Sequence, residues 1–305
     1  QKVYALTQKE NLGADKIIAL NYLSDIYLSL GDTIKAEEIA TQAIISAQKD
    51  ENIRLELLGL FRLIAVYIYQ GKYEEGIETA QKVLQMSRQN KYFSGEVIAS
   101  LGLSEIYEKL GNYQKVIAVA QPYISQVRKI NQRDKEAELL INLGNAYRFI
   151  GEYTKAKELI EQGLKIAREL KNPRLESIAL NNLGLYYSSV KDYQKALELT
   201  QQSFKIAQRL KSPPLLISPQ FNLGDIYNDL GDYQKSRNFY QQALTTSQKL
   251  KNRRSEGNAL LSLARSHFAE GKPQKTVELS QQALTIFQDI KVPQLQAFAH
   301  RMLSL

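Results

Sequence analysis

Three asparagines stand 40 residues apart: Asn142, Asn182 and Asn222. A side-chain amide offers two donor hydrogens and an acceptor oxygen. A column of such amides can run beside an extended backbone as a neighbouring strand does. Each bond is worth roughly 0.5–1.5 kcal/mol net and demands no particular ligand sequence. The same amides can equally tie adjacent helices of one chain together. Asn145, Arg148, Asp225 and Asn228 fall on neighbouring columns of the same spacing, and Arg148 is a candidate partner for an acidic group on a ligand.

Other chemistry is poorly supplied. The chain has no cysteine, which removes thiol nucleophiles, disulfides and cysteine zinc sites. His267 and His300 have no ligand partner at metal spacing. Gly-x-Ser-x-Gly, His-Glu-x-x-His, a phosphate loop and a paired-glycine dinucleotide turn are missing from the sequence. Carboxylates are plentiful, mostly at helix-surface spacing with lysine partners. The expectation is a non-enzyme with no cofactor and no metal.

The elements that carry these residues repeat every 40 positions. Gly31, Gly71, Gly111, Gly151, Gly231 and Gly271 lie on one comb, with Lys191 in the missing place. Leucines occupy another without a break from Leu23 to Leu303, and tyrosines a third from Tyr27 to Tyr227, ending in His267. Tyr73, Tyr113, Tyr153, Tyr193 and Tyr233 follow the glycines, and a lysine comb including Lys35, Lys115 and Lys235 lies two residues further on. A fixed period of this length is the mark of stacked supersecondary units.

Each unit reads as two helices. In repeat 5 the first runs from about Pro173 to Val190, with Leu180, Leu183, Tyr187 and Val190 on one stripe. The second runs from about Tyr193 to Leu210, with Ala196, Leu199, Phe204 and Ala207 inward. Gly231 suits the left-handed residue that closes a helix. Ala36, Ala156 and Ala196 permit close helix approach. The tyrosines from Tyr27 to Tyr227 share the leucine stripe and are read as core rather than as a stacking platform for bases. Pro122 is expected to kink the second helix of repeat 3. Ser218 and Pro219 are expected to start the first helix of repeat 6 late, after a longer loop.

These combs resemble the tetratricopeptide repeat. Leu183-Gly184 with Tyr187, and Leu223-Gly224 with Tyr227, Gly231 and Ala243, are similar to that family's pattern of Leu-Gly-x-x-Tyr, turn glycine and alanine. The period of 40 exceeds the family's usual 34, tryptophan is absent, and Tyr240 alone keeps the second-helix aromatic. The long unit resembles kinesin light chains and bacterial signalling arrays. The resemblance implies an all-α fold, a right-handed α-solenoid superhelix of about seven helix–turn–helix units. It also implies a concave groove lined by first helices, which binds a protein or an extended peptide. On that reading the peptide-binding residues are Asn142, Asn145, Arg148, Asn182, Asn222, Asp225 and Asn228.

The expected division is one array over residues 1–305: the end of a truncated repeat at 1–11, seven full repeats at 12–290, and the first helix of another at 291–305. Cut ends of this kind suggest a piece of a longer protein and possible self-association through the exposed ends. A regulatory or sensor arm of a multidomain enzyme, such as a caspase-like peptidase, is the alternative. The net charge of +8 invites nucleic acid, but the charges are scattered, so that partner is disfavoured. No run of about 18 apolar residues exists, so no membrane span is expected, and the expected location is cytoplasmic.

Overall fold

The computed structural model describes residues 13–290 and 292–304, so the partial repeat expected at 1–11 lies outside the described residues. Among the described residues the chain is all-α. The helices are α1 (Gly13–Ser29), α2 (Thr33–Lys49), α3 (Ile53–Gln70), α4 (Tyr73–Gln89), α5 (Phe93–Lys109), α6 (Tyr113–Ala120), α7 (Ile124–Lys129) and α8 (Arg133–Phe149). They continue as α9 (Tyr153–Glu169), α10 (Pro173–Ser189), α11 (Tyr193–Arg209), α12 (Pro213–Asp229), α13 (Tyr233–Lys249), α14 (Arg253–Ala269), α15 (Pro273–Asp289) and α16 (Pro293–Leu303). Two compact units hold them, residues 1–150 and 151–305.

The period comes from the helix ends. A left-handed residue recurs every 20 residues from Gly31 to Gly271, and only the identity alternates. Glycine closes first helices, except at Lys191. Glu51, Lys91, Asn131, Lys171, Lys211 and Lys251 close second helices. The hydrogen bonds are those of a Schellman motif: Asp32 N–H reaches Tyr27 O at 2.9 Å, and Gly31 N–H reaches Leu28 O at 3.0 Å. The next residue then caps the following helix. Asp32, Asn52, Asn112, Asn172, Asp192, Asp232 and Asn252 each accept a bond from the backbone N–H three residues on. Seventeen helical residues and three connecting residues make the half-repeat, which is why the period is 40.

Connectors this short make consecutive helices neighbours. In unit 1, α1 packs on α3, α3 on α5 and α5 on α8, so first helices form one layer beside the second helices. In unit 2 the same layering runs through α10, α12, α14 and α16. Ala36 and Ala196 are fully buried where hairpin helices meet, and Ala156 is fully buried as well. A Cβ at Gly224 would collide with the Tyr240 ring, so α12 lies against α13 only because glycine stands there.

A second comb joins one repeat to the next. The residue eight before a first-helix glutamate binds it: Gln48 to Glu56 at 2.7 Å, Arg128 to Glu136 at 2.6 Å, Arg168 to Glu176 at 2.9 Å, Gln248 to Glu256 at 3.3 Å. Arg88 holds Glu96 in the same way. Repeat 6 breaks the series with Gln208 and Leu216.

The helices of repeat 5 lie where the spacing predicts, although Val190 falls outside the stripe as an exposed C-cap. Pro122 does interrupt its helix: a 3-10 turn at Gln121–Tyr123 separates α6 from α7. The expected late start of repeat 6 is corrected. α12 begins on the period at Pro213, with Pro213 and Pro214 in the first turn, where no N–H is missed. Pro219 lies inside that helix and is buried. It forgoes one bond, to the Leu215 carbonyl, while packing of Leu223 and Ile226 holds the helix together.

Lys191 has a φ of 64° in the place where six other first helices end in glycine. A side chain costs about 1–2 kcal/mol in that conformation, part of which glycine returns as unfolded-chain entropy. Lys191→Gly is therefore expected to raise unfolding free energy by about 0.5–1 kcal/mol in a urea titration. An unchanged or lower midpoint contradicts this account of the connector.

Candidate functional site

In unit 1, α8 carries Asn142, Asn145 and Arg148. Asn142 is half-buried. Asn145 is buried and donates to Glu108 Oε1 on α5 at 3.1 Å. Its own oxygen accepts from Arg148 Nε at 3.2 Å and Nη2 at 3.0 Å. The Arg148 guanidinium lies 4.0 Å over the Phe149 ring, which stacks on Tyr113. Burial pushes the Glu108 carboxyl up, against the pull of Lys109 and Arg148. Asn145 and Arg148 thus belong to a polar chain joining two first helices. An ion pair of Arg62 with Asp25, 3.0 Å, does the same between α3 and α1.

In unit 2 the amides divide. Asn222 is buried and donates to Asn181 Oδ1 at 2.7 Å, joining α12 to α10. Asn182 is half-buried and makes no side-chain hydrogen bond among the described residues. Asn228 is half-buried, and its Oδ1 lacks a partner. Asp225 is the centre of a triad. Tyr240 Oη donates to Asp225 Oδ1 at 2.6 Å, Arg265 Nη2 donates to the same oxygen, and Arg265 Nη2 reaches Tyr240 Oη at 2.9 Å. Burial and the Asp225 carboxylate push the Tyr240 phenol well above its ordinary range, so Tyr240 stays a neutral donor.

The triad forms part of a cavity of about 270 Å³ between α12, α14 and α16. Phe221, Leu261, Leu295 and Phe298 supply apolar wall, and Asn258, Ser262, Asp225 and Arg265 supply polar groups. Pairing Asp225 with Arg265 cancels their charges, so an uncharged side chain can enter without meeting a bare ion. Reading single columns could not find this cavity, because Leu295 and Phe298 come from the helix after the seventh repeat. The apolar Phe221–Leu261 column beside the Asp225–Arg265 column was its only signal.

The tyrosine and lysine combs meet. Lys35, Lys115 and Lys235 lie 5.4, 5.1 and 5.2 Å above the rings of Tyr27, Tyr107 and Tyr227. Tyr107 is buried as expected, while Tyr27, Tyr187 and Tyr227 are half-buried. Among the described residues no group of acidic and histidine side chains could hold a metal, and no helix is long and apolar enough to cross a membrane.

A sequence model of the tetratricopeptide repeat matches residues 135–209 and 215–289. The chain belongs to the tetratricopeptide repeat family. No curated protein matches it. Among solved structures, the tetratricopeptide chain is similar to the apo form of RapI, with TM-score 0.67, 17% identity, and coverage of 90% of this chain and 99% of that one. It is similar to a Rap protein complexed with competence and sporulation factor, with TM-score 0.60, 12% identity and coverage of 95% and 97%. It is also similar to a signal transduction ATPase with numerous domains and a tetratricopeptide repeat sensor, from Pyrococcus horikoshii, with TM-score 0.63 and 17% identity. There the tetratricopeptide chain is covered over 88% of its length and spans 42% of the ATPase.

Two outcomes follow from these contacts. A double-mutant cycle on Asn181→Ala and Asn222→Ala is expected to give a coupling of about 1 kcal/mol in unfolding free energy; additive effects would free Asn222 from its tie. His267 stands where the other repeats have tyrosine. Burial, then Arg237 and Lys272, hold its imidazole below the ordinary 6.5, and its Nδ1 is buried without a partner. The unfolded chain therefore takes up the proton first as pH falls, and the stability His267 allows above 6.5 is lost below it. Thermal melts between roughly pH 7.5 and 5.5 should fall more steeply for the native chain than for His267→Tyr. Parallel curves would contradict that environment.

Proposed function

We propose that this tetratricopeptide repeat chain is a protein-interaction scaffold that holds an extended peptide along the first helices of unit 2. The observation that carries the reading is the cavity between α12, α14 and α16, with apolar walls and a neutralised Asp225–Arg265 pair. Asn182 adds a half-buried amide without an internal partner on α10. Such a group suits peptide carbonyls and N–H groups. Asn222 contributes indirectly, by keeping α12 in register with α10. Asn142 is the amide of unit 1 still suited to a ligand; Asn145 and Arg148 have the positioning role their bonds describe. A Rap protein of similar fold has been captured with competence and sporulation factor, which is consistent with ligand capture by helices arranged in this way.

The likeness to an ATPase with a repeat sensor favours a second reading, in which the scaffold is the sensing arm of a larger protein. The two readings share the same binding face.

Panning a random peptide library on the full chain tests the proposal. Selected peptides should lose about tenfold or more in affinity on Phe221→Ala, the change expected from emptying an apolar wall, and a smaller amount on Asn182→Ala. A library without binders, or binders indifferent to both variants in correctly folded protein, would overturn it.

A further inference from the structure

We infer that the segment held on unit 2 carries an apolar side chain and a basic side chain two residues apart. This rests on the proposed binding face and assigns the chemistry of its ligand. The apolar residue is assigned by the cavity walls, Phe221, Leu261, Leu295 and Phe298. The basic residue is assigned by Asp229, the last residue of α12.

Asp229 is exposed and forms no ion pair among the described residues. It follows Asp225 by one helical turn, and the charges that act on it are those of Asp225 and Arg265. It therefore belongs to the same face as the cavity. Asp225 has spent its charge on Arg265, whereas Asp229 has not. The local excess is one negative charge, on a chain whose net charge is +8. The cation that acts on Asp229 is Arg265, which is already paired with Asp225. A cationic ligand group placed at Asp229 meets attraction; an acidic one meets repulsion from the same carboxylate.

The spacing follows from geometry. Four residues of helix advance about 6 Å, and two residues of extended peptide advance about 6.6 Å. Residues i and i+2 of an extended chain point to the same side. Where the segment entering the cavity runs parallel to the axis of α12, an apolar side chain beside Asp225 brings the residue two positions away to Asp229. The arrangement permits either chain direction.

The test uses four fluorescein-labelled, acetylated peptides of alanine and serine. Two contain Phe-Ala-Lys or Lys-Ala-Phe, and two have glutamate in place of lysine. Anisotropy titrations with the full chain should show a lysine peptide binding at least about threefold tighter than its glutamate counterpart. Asp229→Asn should remove that preference without shifting the thermal midpoint, and so should raised salt. Glutamate peptides that bind as tightly as lysine peptides, or a preference that survives Asp229→Asn, overturn the inference. If such binding is still lost on Phe221→Ala, the groove reading stands and only the basic residue falls. If no peptide binds, both fall.

Discussion

A single left-handed residue, placed every 20 positions, is the constraint on which the rest of this structure depends. It ends a helix, reverses the chain and presents the next residue as a cap. Because connectors have two or three residues, consecutive helices within each unit are set against one another in a repeating register. Glycine adopts that backbone at least cost, and first helices use it at six of seven turns. Second helices use lysine, glutamate or asparagine there. The glycine comb is therefore only half of a comb that the backbone completes.

Register then decides where side chains meet. Residues eight apart across a connector face one another, so a Lys comb comes to lie over a Tyr comb, and Arg or Gln meets Glu. Much of the positive charge is absorbed in this way. Cation–π contacts and surface ion pairs contribute modestly one by one, but repetition distributes them along each unit. The lysines and arginines engaged in this way already have partners within the chain.

Repeat 6 departs from the others most often. It has Leu216 in place of the clasping glutamate, Pro219 within its first helix, and Gln220 where most repeats have a core leucine. It also has the one aromatic of its second-helix column, Tyr240, seated over Gly224 and bonded to Asp225. The cavity opens beside this repeat. Departures from a local rule concentrate where a surface does something besides hold the fold; this repeat also contains two buried polar atoms without internal partners, Asn228 Oδ1 and Gln220 Oε1.

Sequence alone determined the period, the helix pair in each repeat, the interruption at Pro122 and the family. All follow from local chemistry repeated seven times, and repetition averages away the noise of any single position. It misjudged Pro219, because a local rule prices the lost hydrogen bond and cannot price the packing that offsets it. It also left open what the asparagines do. Only the tertiary structure separated them: Asn222 turns to Asn181 and Asn145 to Glu108, while Asn182 keeps its amide free of internal bonds. Identical residues at identical spacing differ because an amide's partner lies on another helix, some 40 residues away. That distance is set by how helices stack, which no single column of the sequence records.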